Sequence, residues 1–384
     1  MNTPRLIAFY LPQYYPTETN NRFYGEGFTE WTNVTRAKPF FPGHYQPRTP
    51  ADLGFYDLRS AETREKQAEL ARNAGIEGFC YYHYWFKKGH RELEVPFQEV
   101  VRLKKPDFPF CLCWANQSWY AKFWSKENTI RKPIAEQCYL GKDDNLAHFL
   151  TLKEAFQDPR YITVDGKLLF MIYRPLEFPG DTLSAFMEQW KKLAKEYGLP
   201  GFYFIGQATS DVEVNRYFSL GLDGVNIVKM NEYMKHFPYS WKGYLFYSKF
   251  RRIIKFIYSS LVGINKATGN PDYSLADYVE YKDICKYMTG GGDNTNIFPT
   301  MVPNWDHSPR SGRRATIFHH STPGLFEKHA KEILAEIKNR NPQKQIAFIK
   351  SWNEWGEGNY LEPDLRFGHG YLDALHNAVR DYEP

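Results

Sequence analysis

Cysteine is scarce in this chain: five among 384 residues, at Cys80, Cys111, Cys113, Cys138 and Cys285. The count is odd and no CxxC pair occurs, so the sequence indicates neither a disulfide framework nor a zinc site. Cys111 and Cys113 stand two apart in an apolar run, on one face of a strand, and read as buried free thiols. No metal or other cofactor is expected. There is no stretch of about 20 apolar residues, so no helical membrane span is expected. Met1 to Arg5 lead straight into an apolar run without the charged-then-apolar layout of a secretory leader, and the expectation is a reduced, cytoplasmic setting. Charge of one sign is missing too: 49 Lys and Arg face 44 Asp and Glu, a net +5. No DNA- or RNA-binding motif accompanies that balance, so no nucleic-acid partner is expected. Neither GxGxxG nor a P-loop follows any apolar run, which argues against a doubly wound nucleotide-binding sheet.

Aromatic residues are abundant, at 17% of the chain with 28 Tyr and 10 Trp. Their flat apolar faces and hydrogen-bonding edges suit either a core or a sugar-binding surface, and the fold decides between these. Short continuous apolar runs lie near 6–11, 76–82, 108–114, 168–173, 201–206, 224–228, 297–302 and 345–351. Helical patterns near 61–73, 95–104, 182–197, 212–220, 323–339 and 371–380 follow most of them. Continuous apolar strands alternating with helices predict an α/β fold with a parallel sheet covered on both faces. Eight repeats predict a (β/α)8 TIM barrel, one domain over 1–384, with long insertions after strands three and six near 118–161 and 230–292. Both insertions leave the C-terminal ends of strands, the face on which barrel enzymes carry their sites.

Polar and aromatic side chains cluster at that end of nearly every strand. They are Tyr10, Gln13, Glu30 and Trp31 with the first strand, then Tyr82, His83, Tyr84 and Trp85 with the second. Trp114 and Asn116 go with the third, Arg174 with the fourth and Gln207 with the fifth. Asn304, Trp305 and Asp306 follow the seventh, and Asn353 and Trp355 follow the eighth. If the barrel closes, they converge on one mouth as a substrate-binding lining: aromatic faces for sugar C–H faces, amides and carboxylates for hydroxyls. Breaking or making a glycosidic bond usually takes two carboxyl groups. Glu354 and Glu357 are three apart, a spacing that puts both on one face of a helical turn, and Trp352 and Trp355 can desolvate one of them, as a general acid requires. This pair is the catalytic candidate.

Five runs carry a resemblance: Phe9-Tyr10-Leu11-Pro12-Gln13-Tyr14, Gly27-Phe28-Thr29-Glu30-Trp31-Thr32-Asn33, Gly78-Phe79-Cys80-Tyr81-Tyr82-His83-Tyr84-Trp85, Phe110-Cys111-Leu112-Cys113-Trp114-Ala115-Asn116 and Trp352-Asn353-Glu354-Trp355-Gly356-Glu357-Gly358. They resemble the WbsX-type family, whose members are often called glycosyltransferases of O-antigen or capsule synthesis and are grouped with glycoside hydrolase family 99. The resemblance covers nearly the whole chain and implies a (β/α)8 barrel. It also implies roles: Glu354 as a base on the sugar 2-hydroxyl, giving a 1,2-anhydro intermediate, and Glu357 as general acid/base at the leaving oxygen. Gly356 stands where family 99 hydrolases often have His.

Two enzymatic readings stay open. Hydrolysis or transglycosylation of a bacterial surface polysaccharide fits the carboxylate pair. A glycosyltransferase of O-antigen, lipopolysaccharide or capsule synthesis would need a diphosphate site. No DxD occurs; Asp143-Asp144 and Gly290-Gly291-Gly292-Asp293 read as loops, and Arg310, Arg313 and Arg314 form the available cationic cluster. A non-catalytic glycan-binding barrel is the third reading, disfavoured by the presence of both glutamates. Residues 241–264 carry five Lys and Arg and no acid, with apolar residues at helical spacing, which suggests a peripheral membrane contact beside a lipid-linked glycan.

Overall fold

The computed structural model describes residues 3–40, 42–120, 133–231, 277–289, 292, 294–312 and 315–382. Eight parallel strands close into a barrel: β1 Arg5–Tyr10, β2 Gly78–Trp85, β3 Phe110–Trp114, β4 Lys167–Ile172, β5 Phe202–Ala208, β6 Gly224–Ile227, β7 in two pieces at Ile297–Phe298 and Thr300–Met301, and β8 Ile346–Ile349. Register is set by pairs such as Ile7↔Gly78, Phe79↔Phe110, Leu112↔Phe170, Leu168↔Phe202 and Gly224↔Ile205. The ring closes through Arg5↔Ile346 between β1 and β8. The expected seventh strand is continuous; in the structure Pro299 divides it. Proline has no N–H to give to a ladder. The first piece pairs with β6 and the second with β8, while the Pro299 carbonyl still accepts from Phe348 N at 2.9 Å.

A helix follows each strand. Six were expected. Three of them start at side-chain caps: Ser60 accepts from Thr63 N before Ala61–Asn73, Ser210 from Glu213 N before Asp211–Ser219, and Thr322 from Leu325 N before Pro323–Ile337. The other two, Lys142–Phe156 and Tyr281–Met288, lie inside the segments read as insertions. Lys142–Phe156 follows Gly141 with no side-chain cap, so its start carries no local signal, and Asp143-Asp144 is its first turn rather than a loop. The first insertion therefore shrinks to the antiparallel pair Trp119–Tyr120 with Pro133–Ala135 and its surroundings. From the second, Asp277–Glu280 returns to pair in parallel with Thr316–His319, outside the barrel. Residues 241–264, Gly290, Gly291, Asp293, Arg313 and Arg314 lie outside the described residues.

Much of the aromatic content is core. Trp190, fully buried on the Thr182–Glu196 helix, packs against Phe170, Phe186 and Phe202 with ring centroids 4.6–5.3 Å apart. Cys111 and Cys113 are buried free thiols, as expected from their spacing; Cys80 and Cys285 are buried and free as well, and Cys138 is half-buried.

Candidate active site

Beyond β8 the chain runs Lys350-Ser351-Trp352 and then turns back in a tight hairpin. Asn353–Glu354 pairs antiparallel with Asn359–Tyr360, and Trp355–Glu357 forms a single 3₁₀ turn between them. Gly358 ends that turn at φ 54°, where an added Cβ would lie 2.7 Å from Asp306 Cβ, so the position takes only glycine. The 3₁₀ turn brings both glutamates to one side, where they meet Arg310 from the Ser308–Ser311 turn after β7. Arg310 Nη1 donates to Glu357 Oε1 at 2.5 Å, Nε donates to Glu30 Oε1 at 2.8 Å, and Nη2 lies 3.0 Å from Glu354 Oε2. His307 Nε2 stands 3.6 Å from Glu357. Glu30 opens the Glu30–Arg36 helix, begun by a Thr29/Thr32 capping box.

A second cation lies beneath. Lys350 is buried, its Nζ 3.4 Å from Tyr82 Oη and over the rings of Phe9 and Trp305, 5.8 and 5.9 Å from their centroids. Burial works against its charge, but Tyr173 and the two glutamates outweigh it and hold its pKa above the ordinary lysine value. The same contest at Arg310 is won by Glu30, Glu354 and Glu357, which hold it well above the ordinary arginine value. Glu354 goes the other way. Burial, then the neighbouring Glu357 charge, push it up to about 7 against the pull of Arg310 and Lys350.

Of the sequence candidates, the structure gathers Glu30, Tyr82, Tyr84, Trp305, Glu354 and Glu357 around these two cations. Tyr82 and Tyr84 share the inner face of β2, where the Glu354 charge acts on both. Trp305 is half-buried beside His307, 5.9 Å between ring centroids. Tyr10, His83, Trp85 and Trp114 point outward instead, into the helical layer. Tyr10 donates to Gln67 at 2.6 Å, His83 meets His148 at 2.8 Å, Trp85 donates to Asp144 at 3.2 Å, and Trp114 packs on Phe186 at 5.3 Å. The expectation ended β2 at Tyr82 and put His83-Tyr84-Trp85 in a loop; the strand runs on through Trp85, so alternate residues take opposite faces.

Others are buried supports. Asn353 accepts from Leu11 N at 2.7 Å and donates to Leu11 O at 3.0 Å, tying the β8 hairpin to the β1 loop. Asn116 does the same between the β3 and β4 loops, with its Oδ1 2.7 Å from Arg174 N. Arg174 itself is half-buried over the Tyr173 ring at 5.0 Å. Asp306 accepts from Gln46 at 2.6 Å and pairs with His44 at 2.8 Å. Burial opposes its charge, yet His44, Arg48 and Ser308 bring its pKa down to about 2. Asn304 accepts from Arg48 at 2.7 Å, and Arg48 also donates to Gly358 O at 3.0 Å. Trp31 donates to Tyr56 O at 2.8 Å, and Trp355 stacks on Tyr360 at 3.7 Å and donates to Glu362 at 2.6 Å. Gln207 donates to Asn226 at 3.1 Å, which donates on to Thr300 at 2.7 Å, a ladder across β5, β6 and β7. Gln13 is half-buried and its carbonyl accepts from Glu30 N at 3.2 Å.

Sequence reasoning missed Lys350, Glu362 and the role of Arg310 as a hub. Lys350 had a signal: a charged residue closing an apolar strand at its C-terminal end. Glu362 had none, because its partners Gln67, Tyr56 and Trp355 come from three separate segments.

A family model described as glycosyltransferase WbsX matches residues 6–375. The uncharacterized protein WxcX of Xanthomonas campestris pv. campestris is 31% identical over 379 residues, 97% of this chain and 49% of that protein. The chain thus spans about half the length of the curated relatives it matches. A GH99 endo-alpha-mannosidase from Bacteroides thetaiotaomicron shares the fold at TM-score 0.52 and 15% identity, over 98% of this chain and 97% of that one. A glycoside hydrolase-like protein does so at TM-score 0.56 and 14% identity, over 99% and 94%. Likeness at such identity is likeness of fold. Matched by the family model from its first barrel strand into its last helix, the chain belongs to the WbsX glycosyltransferase family.

Proposed function

We propose that this chain is a carbohydrate-active enzyme that cleaves, or transfers across, a glycosidic bond of a bacterial surface polysaccharide. One observation carries the reading: two carboxylates on the turn after β8, Glu354 and Glu357, converge on one guanidinium beside Tyr82, Tyr84 and Trp305. In that setting one carboxyl supplies a proton to the leaving oxygen and the other takes one from the attacking hydroxyl. The half-buried Trp305 ring offers a face to a sugar, with the Lys350 ammonium and the tyrosine hydroxyls next to it.

Transfer from a nucleotide sugar is the second reading, favoured by the name of the family. It needs a cation free for the diphosphate. Arg310 spends its Nε and Nη1 on Glu30 and Glu357 and faces Glu354 with Nη2, which leaves Arg310 itself unsuited to that task.

The test is a turnover screen of the chain on bacterial surface polysaccharides, reading newly formed reducing ends. Released oligosaccharide is expected, with Glu354→Gln and Glu357→Gln each slower by about 10²–10⁴-fold, the range for a lost acid/base group. Turnover confined to nucleotide sugars would mean a transferase. Unchanged turnover in both variants would remove the pair from catalysis.

A further inference from the structure

Arg310 treats the three carboxylates around it unequally. Glu30 and Glu357 accept hydrogen bonds from it, at 2.8 and 2.5 Å. Glu354 lies alongside: Nη2 is 3.0 Å from Glu354 Oε2, yet the approach lacks hydrogen-bond geometry and that oxygen is buried with no hydrogen-bond partner among the described residues. A buried carboxylate oxygen without a donor is costly as an anion and much less so in a protonated carboxyl.

Gly356 makes the arrangement possible. A Cβ there would fall 1.7 Å from Glu30 Oε1 and 3.0 Å from Arg310 Nε, so the absent side chain is the space that the Glu30–Arg310 pair fills. Facing the glutamates from the other elements are Lys350 from the end of β8, Tyr82 and Tyr84 from β2, Tyr14 from the β1 loop and His307 from the β7 loop. Burial raises all three tyrosines well above their ordinary value, so they stay neutral. The permanent cations are then Arg310 and Lys350, His307 adding a charge only if it is protonated; with His307 neutral, three carboxylates balance two cations when the cluster holds one proton.

We propose that Arg310 is a positioning residue that divides the labour of the pair: by bonding Glu357 and Glu30 while only flanking Glu354, it leaves the cluster's proton on Glu354. This rests on the catalytic reading above and reverses the roles that the family resemblance implies. Glu354 is the proton donor. Its O–H proton passes to the glycosidic oxygen as the bond from that oxygen to the anomeric carbon breaks, the electron pair staying on the oxygen. Glu357 takes the proton of the attacking hydroxyl as that oxygen bonds to the anomeric carbon. The pair ends with one proton, now on Glu357, and passing it back to Glu354 restores the starting state.

Infrared difference spectra of the full chain against pH, with no glycan present, read the carbonyl band of a protonated carboxyl. Glu362, also pushed up to about 7 by burial, contributes a band of its own that Glu362→Gln removes. The remaining band is expected to persist to near-neutral pH, to vanish in Glu354→Gln and to survive in Glu357→Gln. Arg310→Gln is expected to move its midpoint up by about 1–3 pH units, the range for losing an adjacent opposite charge. Should that variant fail to fold, Arg310→Lys keeps a cation without the fork and is expected to shift the midpoint the same way by less. A band that survives Glu354→Gln, or a midpoint unmoved by the Arg310 variant that folds, overturns the proposal. Because no substrate is added, a failed turnover screen with these spectral results overturns the functional reading and leaves the location of the proton standing. Turnover with a band lost only in Glu357→Gln overturns this inference alone.

Discussion

Position 356 has room for a hydrogen atom and nothing larger, since a methyl group would stand 1.7 Å from Glu30 Oε1. Glu30 is 2% exposed and bonded to Arg310 and Asn33, so it cannot swing into solvent. Gly356→Ala is therefore expected to destabilise the protein by about 3–5 kcal/mol, the usual effect of separating one partner from a buried ion pair. Denaturant unfolding measures this; a loss below about 1 kcal/mol would mean that Glu30 has a second resting place. At this scale the sequence is informative about the glutamates and mute about their setting. The three-residue spacing of Glu354 and Glu357 marks the pair, and the local Trp residues mark its dry surroundings. What fills the space left by Gly356 comes from Glu30 and Arg310, 280 positions apart, and no local pattern connects them.

Among the elements, the β8 hairpin is tied to the β1 loop by the Asn353 side chain and by the Tyr14 hydroxyl, which donates to Asn353 O and accepts from Trp355 N. Asn353 is fully buried and satisfies both the N–H and the C=O of Leu11. Asn353→Ala removes two hydrogen bonds and strands two buried backbone groups. A loss of about 2–4 kcal/mol in denaturant unfolding is expected, with turnover falling further than stability because both glutamates ride on this hairpin. Equal stability in the variant would place the anchor elsewhere, in the Tyr14 hydroxyl that donates to Asn353 O. Element types were legible: eight strands and six of the helices follow from apolar runs and helical spacing. Element ends were not. Three more residues on β2 turn His83 and Trp85 from loop residues into outer-face packing, and the Lys142–Phe156 helix begins without a cap. Strand length is set by pairing with neighbours, which a one-dimensional pattern does not contain.

For the whole molecule, buried ionisable groups predict how stability follows pH. Burial holds His83 at about 3, His329 at about 4 and His148 well below the ordinary histidine range, so unfolding lets all three take up protons below about pH 6.5. Glu354 and Glu362, both at about 7, hold protons that the unfolded chain releases above about pH 4.5. The histidines make stability rise with pH up to about 6.5, and the glutamates make it fall as they are forced to ionise. Between those limits these three histidines oppose these two glutamates, and the less buried His319 and Asp144, shifted down and up, add one group to each side, so thermal unfolding should show its maximum near pH 6.5 and a decline above it. A flat profile from pH 7 to 9 would mean that Glu354 and Glu362 ionise without cost. One further consequence concerns time. The barrel closes by joining β1 to β8, and the Asn353–Leu11 clamp spans 342 positions of chain. Contacts of such separation form late, because the loop they close is the longest to gather. A ribosome must therefore deliver nearly the whole barrel before Glu354 and Glu357 can meet Arg310, and premature termination between β7 and β8 leaves a chain with seven of its eight barrel strands and no reactive centre.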